Sequence, residues 1–93
     1  MPRRIQIISP DLELNSSFIV HFDDGSWLIV KRDFYGYHVR GGRPHFDCTT
    51  KAELDANLSF MGEDRGGLDR IDQNKGVMGV TPDGTHIAEL FNT

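Results

Sequence analysis

The clearest pattern of hydrophobic positions in the chain is a pair of apolar segments, Ser17–Phe22 and Trp27–Arg32, on either side of Asp24-Gly25. Both segments are rich in β-branched and aromatic residues, which favour strands. Asp-Gly between two such segments is typical of a two-residue type I′ turn. The pattern therefore predicts an antiparallel β-hairpin that turns at Asp24-Gly25.

The register of this hairpin follows from the length of its loop. A two-residue loop pairs Asp23 with Ser26 and Phe18 with Lys31. One face then carries Phe18, Val20, Phe22, Trp27 and Ile29. The opposite face carries Ile19, His21, Leu28 and Val30. Because a sheet with one solvated face alternates apolar and polar residues, we expect the hairpin either to be covered on both faces or to present one to an interface. The two apolar faces permit a homodimer without requiring one.

Shorter segments extend the predicted sheet. Asp33–Gly36 predicts a turn, after which Tyr37–Arg40 returns as a third strand, and His45–Cys48 is expected to pair at the edge. Near the N-terminus, Ile5–Ile8 is typical of a short strand. That strand stops before Pro10, since proline lacks the amide hydrogen that a ladder needs.

Two helices are predicted after the strands. Thr50 and Glu53 have the spacing of a capping box, in which each residue satisfies an amide of the other. An apolar stripe at helical spacing follows and stops at Gly62; its members are Leu54, Leu58 and Met61. Leu68–Lys75 predicts a second, short helix that ends at Gly76.

The last segment predicts another hairpin. Val77–Val80 and Thr85–Phe91 flank Thr81-Pro82-Asp83-Gly84, which has the usual turn residues. The whole pattern predicts one α+β domain over residues 1–93. It contains an antiparallel sheet of about four strands, packed on one face by two helices, with a C-terminal β-hairpin.

Composition narrows the class of protein and its expected location in the cell. A chain of 93 residues buries only roughly 60–65% of its surface, which disfavours an enclosed catalytic cavity. No apolar run approaches the ~20 residues of a membrane span, and the apolar patch behind the basic N-terminus is too short for a signal peptide. The single cysteine, Cys48, excludes an intrachain disulfide. We therefore expect a cytoplasmic protein without a membrane partner.

The net charge of −4 hides an uneven distribution. Residues 31–46 carry four basic and one acidic side chain, whereas residues 47–93 carry four basic and nine acidic side chains. Residues 31–43 interleave cations with aromatic rings, as do sites for single-stranded nucleic acid and protein-binding hot spots. Because an acidic protein repels a polyanion such as nucleic acid, a protein partner is the leading hypothesis. The alternative is a single-stranded nucleic-acid-binding module that uses the basic and aromatic patch at residues 31–43.

Catalytic and metal-binding patterns are weak. His45-Phe46-Asp47-Cys48 concentrates possible ligands but lacks a second pair at finger-like spacing, so we expect no metal and no cofactor. A third candidate function, a small ribonuclease-like hydrolase, would need His38, Arg40, His86 and Glu89 to converge. No spacing motif supports that convergence, and we expect no enzymatic activity.

Three stretches and two helix residues carry a family resemblance. Asp24-Gly25-Ser26 stands where the family has Asn-Gly-Ser, and Phe46-Asp47-Cys48-Thr49 stands where it has Phe-Asp-Ser-Thr. Gly67-Leu68-Asp69-Arg70-Ile71-Asp72 stands where the family has Gly-Leu-Gly-Arg-Ile-Glu, and Leu54 and Leu58 match its first helix. With these features the chain resembles, from about Ile5 to Asp72, the small anti-CRISPR proteins of type I-F systems, which combine an antiparallel sheet with two helices.

The resemblance implies a non-enzymatic phage-type inhibitor. Such proteins bind the protein subunits that form the backbone of the CRISPR surveillance complex, and they block pairing of guide RNA with target DNA. They use no cofactor. Their contact surface lies largely on the sheet and includes two tyrosines and a glutamate. The corresponding positions here fall near Ile8, Phe22 and Asp33, of which Asp33 alone keeps the chemical character. The predicted C-terminal hairpin departs from the family, whose chains end in a second helix.

The predicted partner surface is the solvent face of the sheet. Its expected contacts are Phe22, Arg32, Asp33, Tyr35, Tyr37 and Arg40. Aromatic rings would supply rigid contact area, and charges would set the register and the rate of approach. The acidic stretch is the other possible contact surface, and it contains Glu63, Asp64, Asp69 and Asp72.

Overall fold

The computed structural model describes residues 6–41, 45–74, 76 and 78–91. Its strands are β1 (Ser17–Phe22), β2 (Trp27–Asp33), β3 (Gly36–Arg40), β4 (His45–Cys48) and β5 (Leu68–Asn74), and its helices are α1 (Lys51–Asp64) and α2 (Ile87–Leu90). All strand pairs are antiparallel, in the order β4-β3-β2-β1-β5. The predicted α+β fold is confirmed. Parts of four predicted elements lie outside the described residues, namely Ile5, residues 42–44, Lys75 and Val77.

The β1–β2 hairpin is present, but its loop has three residues instead of two. The Phe22 amide donates to the Ser26 carbonyl at 2.9 Å, which closes a loop of residues 23–25. Gly25 has φ +89°, and Asp24 Oδ1 accepts the Ser26 amide hydrogen at 2.9 Å. A turn followed by a left-handed glycine is a common three-residue hairpin loop. The predicted type I′ turn is therefore wrong.

The longer loop shifts the register by one residue. Val20 faces Leu28 and Phe18 faces Val30, where the sequence predicted Ile29 and Lys31. Because a shift of one residue moves side chains to the opposite face, the predicted grouping of Trp27 and Ile29 with Phe18 is wrong.

Both faces of the hairpin are nevertheless covered, one of the two predicted arrangements. The α1 side has a core of buried side chains that includes Phe18, Val20, Phe22, Leu28, Val30, Val39, Leu54 and Leu58. On the other side, Ile87 of α2 is fully buried against Ile19 and Ile29. Trp27, Leu90 and Phe91 pack partly buried around this smaller cluster.

The predicted cap of α1 is confirmed, since Thr50 Oγ1 accepts the Glu53 amide hydrogen at 3.2 Å. The helix continues past Gly62 and ends at Asp64. Residues 6–8 of the predicted N-terminal strand are not a strand. They lie along α1, where the Ile7 amide donates to Ser59 Oγ at 2.7 Å.

The predicted second helix is wrong, because this segment forms β5 at the edge of the sheet. β5 pairs with β1, with Val20 opposite Ile71. A seven-residue segment is short for a stable helix, and three of its residues (Asp69, Asp72 and Asn74) are weak helix formers. The free edge of β1 therefore determines the structure of this segment.

The predicted C-terminal hairpin is reduced to one bridge, Val80 with His86, around a turn in which the Thr81 amide donates to the Thr85 carbonyl at 2.8 Å. The predicted strand Thr85–Phe91 is wrong, since it contains α2. Its apolar residues recur at spacings of three and four, which suits one face of a helical turn. Among the described residues, no helix is long and apolar enough to cross a membrane.

Candidate protein-binding surface

The β2–β3 turn projects two aromatic residues, Phe34 and Tyr35, which we call the aromatic tip. Asp33 and Gly36 pair across the base of the turn. Gly36 has φ +132°, and a Cβ at this position would collide with the Cys48 carbonyl oxygen of β4. Glycine is thus required here by both conformation and space, and the tip is held against the sheet.

The aromatic tip is the most exposed apolar feature among the described residues. Phe34 is 87% exposed and Tyr35 is 81% exposed. The rings lie edge to face, with centroids 5.8 Å apart and an interplanar angle of 87°. An edge-to-face pair is a favoured aromatic geometry, so the two rings support each other while both stay accessible.

Asp33 fixes the conformation of the tip. Its Oδ1 accepts the Tyr35 amide hydrogen at 2.8 Å. Its Oδ2 lies 2.8 Å from Nε2 of His38 on β3. The Nε2 atom makes no well-aligned hydrogen bond, so this second contact is chiefly an electrostatic attraction. Asp33 therefore connects the exposed turn to the face of the sheet that carries α2.

His38 belongs to a polar cluster of Asp33, His38, Arg40 and Asp47, which we call the histidine cluster. The Nδ1 atom of His38 lies 2.8 Å from Asp47 Oδ1. Arg40 Nη1 donates to the same oxygen at 3.1 Å and to the Val39 carbonyl at 2.9 Å. The Phe91 ring borders the cluster, with Arg40 Cζ 5.9 Å from its centroid. The charges of this face are thus largely matched within the protein.

Contacts within the cluster shift the pKa values of His38, Asp33 and Asp47. Burial acts to lower the pKa of His38, but the contacts with Asp33 and Asp47 outweigh burial and hold it above its ordinary value. For Asp47, the hydrogen bond with His38 and the nearby Arg40 lower the pKa. Burial acts to raise the pKa of Asp33, yet His38 and the Tyr35 amide bring it below the usual value. These directions favour a protonated histidine between two carboxylates.

Two shallow polar depressions flank this region. One, of about 230 Å³, lies beside the aromatic tip and is lined partly by Arg32, Tyr35 and Lys51. The other, of about 270 Å³, lies at the histidine cluster, between Lys31 and Phe91. Both depressions are open to solvent, so the arrangement provides exposed anchors and matched charges. Such a surface is suited to binding.

The structure places the predicted contact residues in different environments. Tyr35 is exposed at the tip, and Asp33 supports it. Arg40 lies in the histidine cluster, and Arg32 donates to the Leu12 carbonyl at 2.5 Å, with its guanidinium 5.9 Å from the centroid of the Tyr37 ring. Phe22 and Tyr37 are 2% and 9% exposed and belong to the α1-side core. The predicted solvent face therefore does not include those two rings.

Sequence reasoning missed Phe34 as a contact residue and did not group His38 with Asp47. A signal for Phe34 was present, since a two-residue turn closed by Gly36 leaves both intervening side chains at the tip. The His38–Asp47 contact depends on the β3–β4 register, which places the two residues opposite each other. That register follows from tertiary pairing and has no local sequence signal.

The alternative chemical constellations do not assemble in the described part of the chain. There, no hydrogen bond or ion pair connects His38 with His86 or Glu89. Asp47 and Cys48 are neighbours on β4 and point to opposite faces, with Cys48 buried in the α1-side core. Within the described residues, no group of three or more potential metal ligands is present.

Comparisons with family models, curated proteins and solved structures gave no match for this chain.

Proposed function

We propose that the protein is a non-enzymatic inhibitor that binds a bacterial CRISPR surveillance complex in the host cytoplasm and blocks its binding of target DNA. The observation that carries the binding function is the aromatic tip, where two large rings are exposed on a turn fixed by Asp33 and Gly36. The family resemblance of the sequence supplies the identity of the complex.

The aromatic tip has the properties of a binding anchor. Tyrosine is enriched at the residues that dominate binding energy in protein interfaces. An aromatic ring buries a large area and loses few rotatable bonds. Because the Tyr35 amide is already bonded to Asp33, part of the entropy cost of ordering the turn is met before a partner binds.

Two elements of the resemblance support the proposed partner. Asp24-Gly25-Ser26 lies at the tip of the β1–β2 hairpin, and Phe46-Asp47-Cys48-Thr49 leads from β4 to the N-cap of α1. The third stretch, residues 67–72, lies in β5 apart from Gly67, whereas the corresponding stretch of the family starts a helix. The resemblance thus supports the proposal through the hairpin and the start of the helix.

Single-stranded nucleic acid is a second candidate partner. The depression beside the tip combines Tyr35 with the side chains of Arg32 and Lys51, a set that suits base stacking and phosphate contact. Both cations have partners already: Arg32 bonds the Leu12 carbonyl, and Lys51 Nζ lies 3.5 Å from Asp55. Phosphate binding would have to compete with these contacts, and the protein partner is therefore preferred.

The proposal is tested with a purified type I-F surveillance complex and labelled target DNA. We expect the wild-type protein to bind the complex and reduce its binding of DNA. The double substitution Phe34→Ala/Tyr35→Ala should weaken inhibition at least about tenfold, as for loss of an interface hot spot. Phe60→Ala is the matched control, because Phe60 is 67% exposed on α1, outside the aromatic tip. Target binding that is unchanged by the wild-type protein would refute the inhibitor proposal.

The nucleic-acid candidate is tested by the fluorescence anisotropy of labelled single-stranded oligonucleotides. It requires affinity at low salt that decreases steeply at moderate salt and depends on the aromatic tip. If oligonucleotides bind in this way while the surveillance complex does not, the second candidate replaces the first.

A further inference from the structure

Strand β5 forms one edge of the sheet, and its outer side is free in the described part of the chain. Within the described chain, the strand order ends at β5, which pairs with β1 alone. Among the described residues, no backbone hydrogen bond from a turn or loop reaches Ile71 or Gln73. An edge strand of this length is a template for a further strand.

The hydrogen bonds of β1 determine which backbone groups of β5 face outward. The Phe22 amide donates to the Ser26 carbonyl at 2.9 Å, and the Arg32 amide donates to the Ser16 carbonyl at 3.0 Å. The backbone amide and carbonyl groups of the even-numbered residues from 16 to 22 therefore form their hydrogen bonds on the β2 side. Successive strand residues point their amide and carbonyl groups to alternate sides, so the odd-numbered residues of β1 bond β5.

The β1–β5 register then orients the outer edge. Ile19 lies opposite Asp72 and His21 lies opposite Arg70, which makes these the hydrogen-bonded pairs of this ladder. Ile71 and Gln73 alternate with them, so their amide and carbonyl groups point away from β1. An incoming antiparallel strand must form its hydrogen-bonded pairs with these outward residues.

The side chains of β5 are complementary to a second copy of β5 in one such register. When two copies pair antiparallel about a two-fold axis at Ile71, the outward backbone groups of Ile71 meet their own counterparts. Arg70 of each copy then lies opposite Asp72 of the other. This is a non-hydrogen-bonded pair, in which Cα atoms are only about 4.5 Å apart and side chains approach most closely. Both opposite-charge contacts occur by symmetry.

We propose that β5 is a self-association surface, on which two copies of this chain join their sheets edge to edge through antiparallel β5 strands centred on Ile71. The interface is isologous, as in most homodimers. An unrelated strand would place arbitrary residues opposite Arg70 and Asp72, and charged edge residues disfavour such pairing. The alternation of charge about Ile71 thus selects a second copy as the partner.

The charged side chains of Arg70 and Asp72 are available to form contacts across this interface. Arg70 and Asp72 are both exposed and about half accessible. Arg70 now contacts Asp69 at 3.0 Å and Asp72 at 3.4 Å within the same strand. Exposed ion pairs of this kind contribute little to stability, so they can be replaced by contacts across the interface. His21 Nε2, 2.9 Å from Asp72 Oδ2, keeps that carboxylate on the same face as Arg70.

The proposal is independent of the inhibitor function, because it depends on the β5 edge and makes no use of the aromatic tip. Its test is analytical ultracentrifugation of the full chain from micromolar to millimolar concentration. We expect a monomer–dimer equilibrium. Arg70→Asp puts two carboxylates opposite each other across the interface, and Asp72→Arg puts two guanidinium groups opposite each other. Because like charges at such positions repel, each change should weaken the dimer at least about tenfold.

The decisive measurement is made on a mixture of the two single variants. In a mixed dimer, both cross-strand pairs join opposite charges. In one pair, the unchanged Asp72 of the first variant faces the unchanged Arg70 of the second. In the other pair, the introduced aspartate faces the introduced arginine. The variants should therefore associate with each other although neither associates strongly with itself.

Asp11→Arg is the control for a change of charge, because Asp11 is almost fully exposed and lies outside β5. This substitution should leave the dimer unchanged. Circular dichroism confirms that each variant is folded. A wild-type chain that stays monomeric throughout, or folded variants that fail to associate on mixing, would overturn the proposal.

Discussion

The two faces of the sheet are covered by helices of very different length. On one face, the 14-residue α1 covers an apolar core whose buried residues include Ile7, Val30 and Leu58. On the other face, the four-residue α2 covers a small cluster, which counts three buried residues in the described part of the chain: Ile19, Ile29 and Ile87. The histidine cluster lies beside this small helix, where Phe91 borders it. One face therefore supplies most of the apolar burial, and the other leaves room for charged groups next to the aromatic tip.

This difference suggests a division of roles. Since buried apolar area is the main source of stability, the α1 face should determine whether the chain folds. The α2 face should affect stability less and should respond to pH through His38. Substitutions on the two faces test this division.

The largest expected effect is on the α1 face. Leu58→Ala removes a fully buried side chain from the larger core and should reduce the free energy of unfolding by about 2–5 kcal/mol. Urea denaturation followed by circular dichroism measures the change. Phe60→Ala, on the exposed side of the same helix, should change stability by less than about 0.5 kcal/mol. Equal losses for both variants would contradict the assignment of the core to this face.

A smaller effect is expected on the α2 face. Ile87→Ala removes the one fully buried side chain of α2, but its neighbours Trp27, Leu90 and Phe91 are only partly buried and can move into the space. The loss should therefore lie near the lower end of the same range, at about 2 kcal/mol. Met78→Ala serves as the exposed control, because Met78 is 78% exposed and precedes Gly79, whose carbonyl accepts the Ile87 amide hydrogen at 3.2 Å. A loss larger than that of Leu58→Ala would reverse the proposed ranking of the two faces.

The sequence could predict the elements that local patterns specify, but not how their side chains divide between the two faces. Strands β1 to β4 and the Thr50 cap follow from local patterns, namely β-branched runs, turn residues and a capping box. The register of β1–β2 did not follow, because Asp24-Gly25 fits both a two-residue loop and the observed three-residue loop. That single difference exchanged the faces of Trp27 and Ile29.

The remaining errors concern segments whose structure depends on distant partners. β5 has a helical spacing at Leu68 and Ile71, yet it pairs with β1, about fifty residues away in the chain. Likewise, α2 forms where Ile87 can pack on Ile19 and Ile29. For the candidate site, the charged and aromatic character of residues 31–40 was evident from the sequence. The burial of Phe22 and Tyr37 required knowledge of the faces, which only the register provides.

The smallest expected effect is the pH response of the histidine cluster. A histidine whose pKa is raised in the folded state stabilises the protein below its ordinary pKa of 6.5, and this contribution is lost as the pH rises through the raised value. The lowered pKa values of Asp33 and Asp47 stabilise above 3.8 and lose their effect as the pH falls through the lowered values. The cluster should therefore stabilise the protein most between these limits.

His38→Gln measures this contribution, because glutamine keeps hydrogen-bonding capacity without the titrating charge. The melting temperature of the wild type should exceed that of His38→Gln most clearly between pH 3.8 and 6.5, and the difference should shrink as the pH rises further. Asp47→Asn removes one of the two carboxylates beside His38, so NMR titration of the His38 ring should show a lower pKa in that variant than in the wild type. A difference in melting temperature that grows with pH would mean that His38 is held neutral. In that case His38 would add no charge to the cluster, and the pH response expected of the α2 face would be wrong.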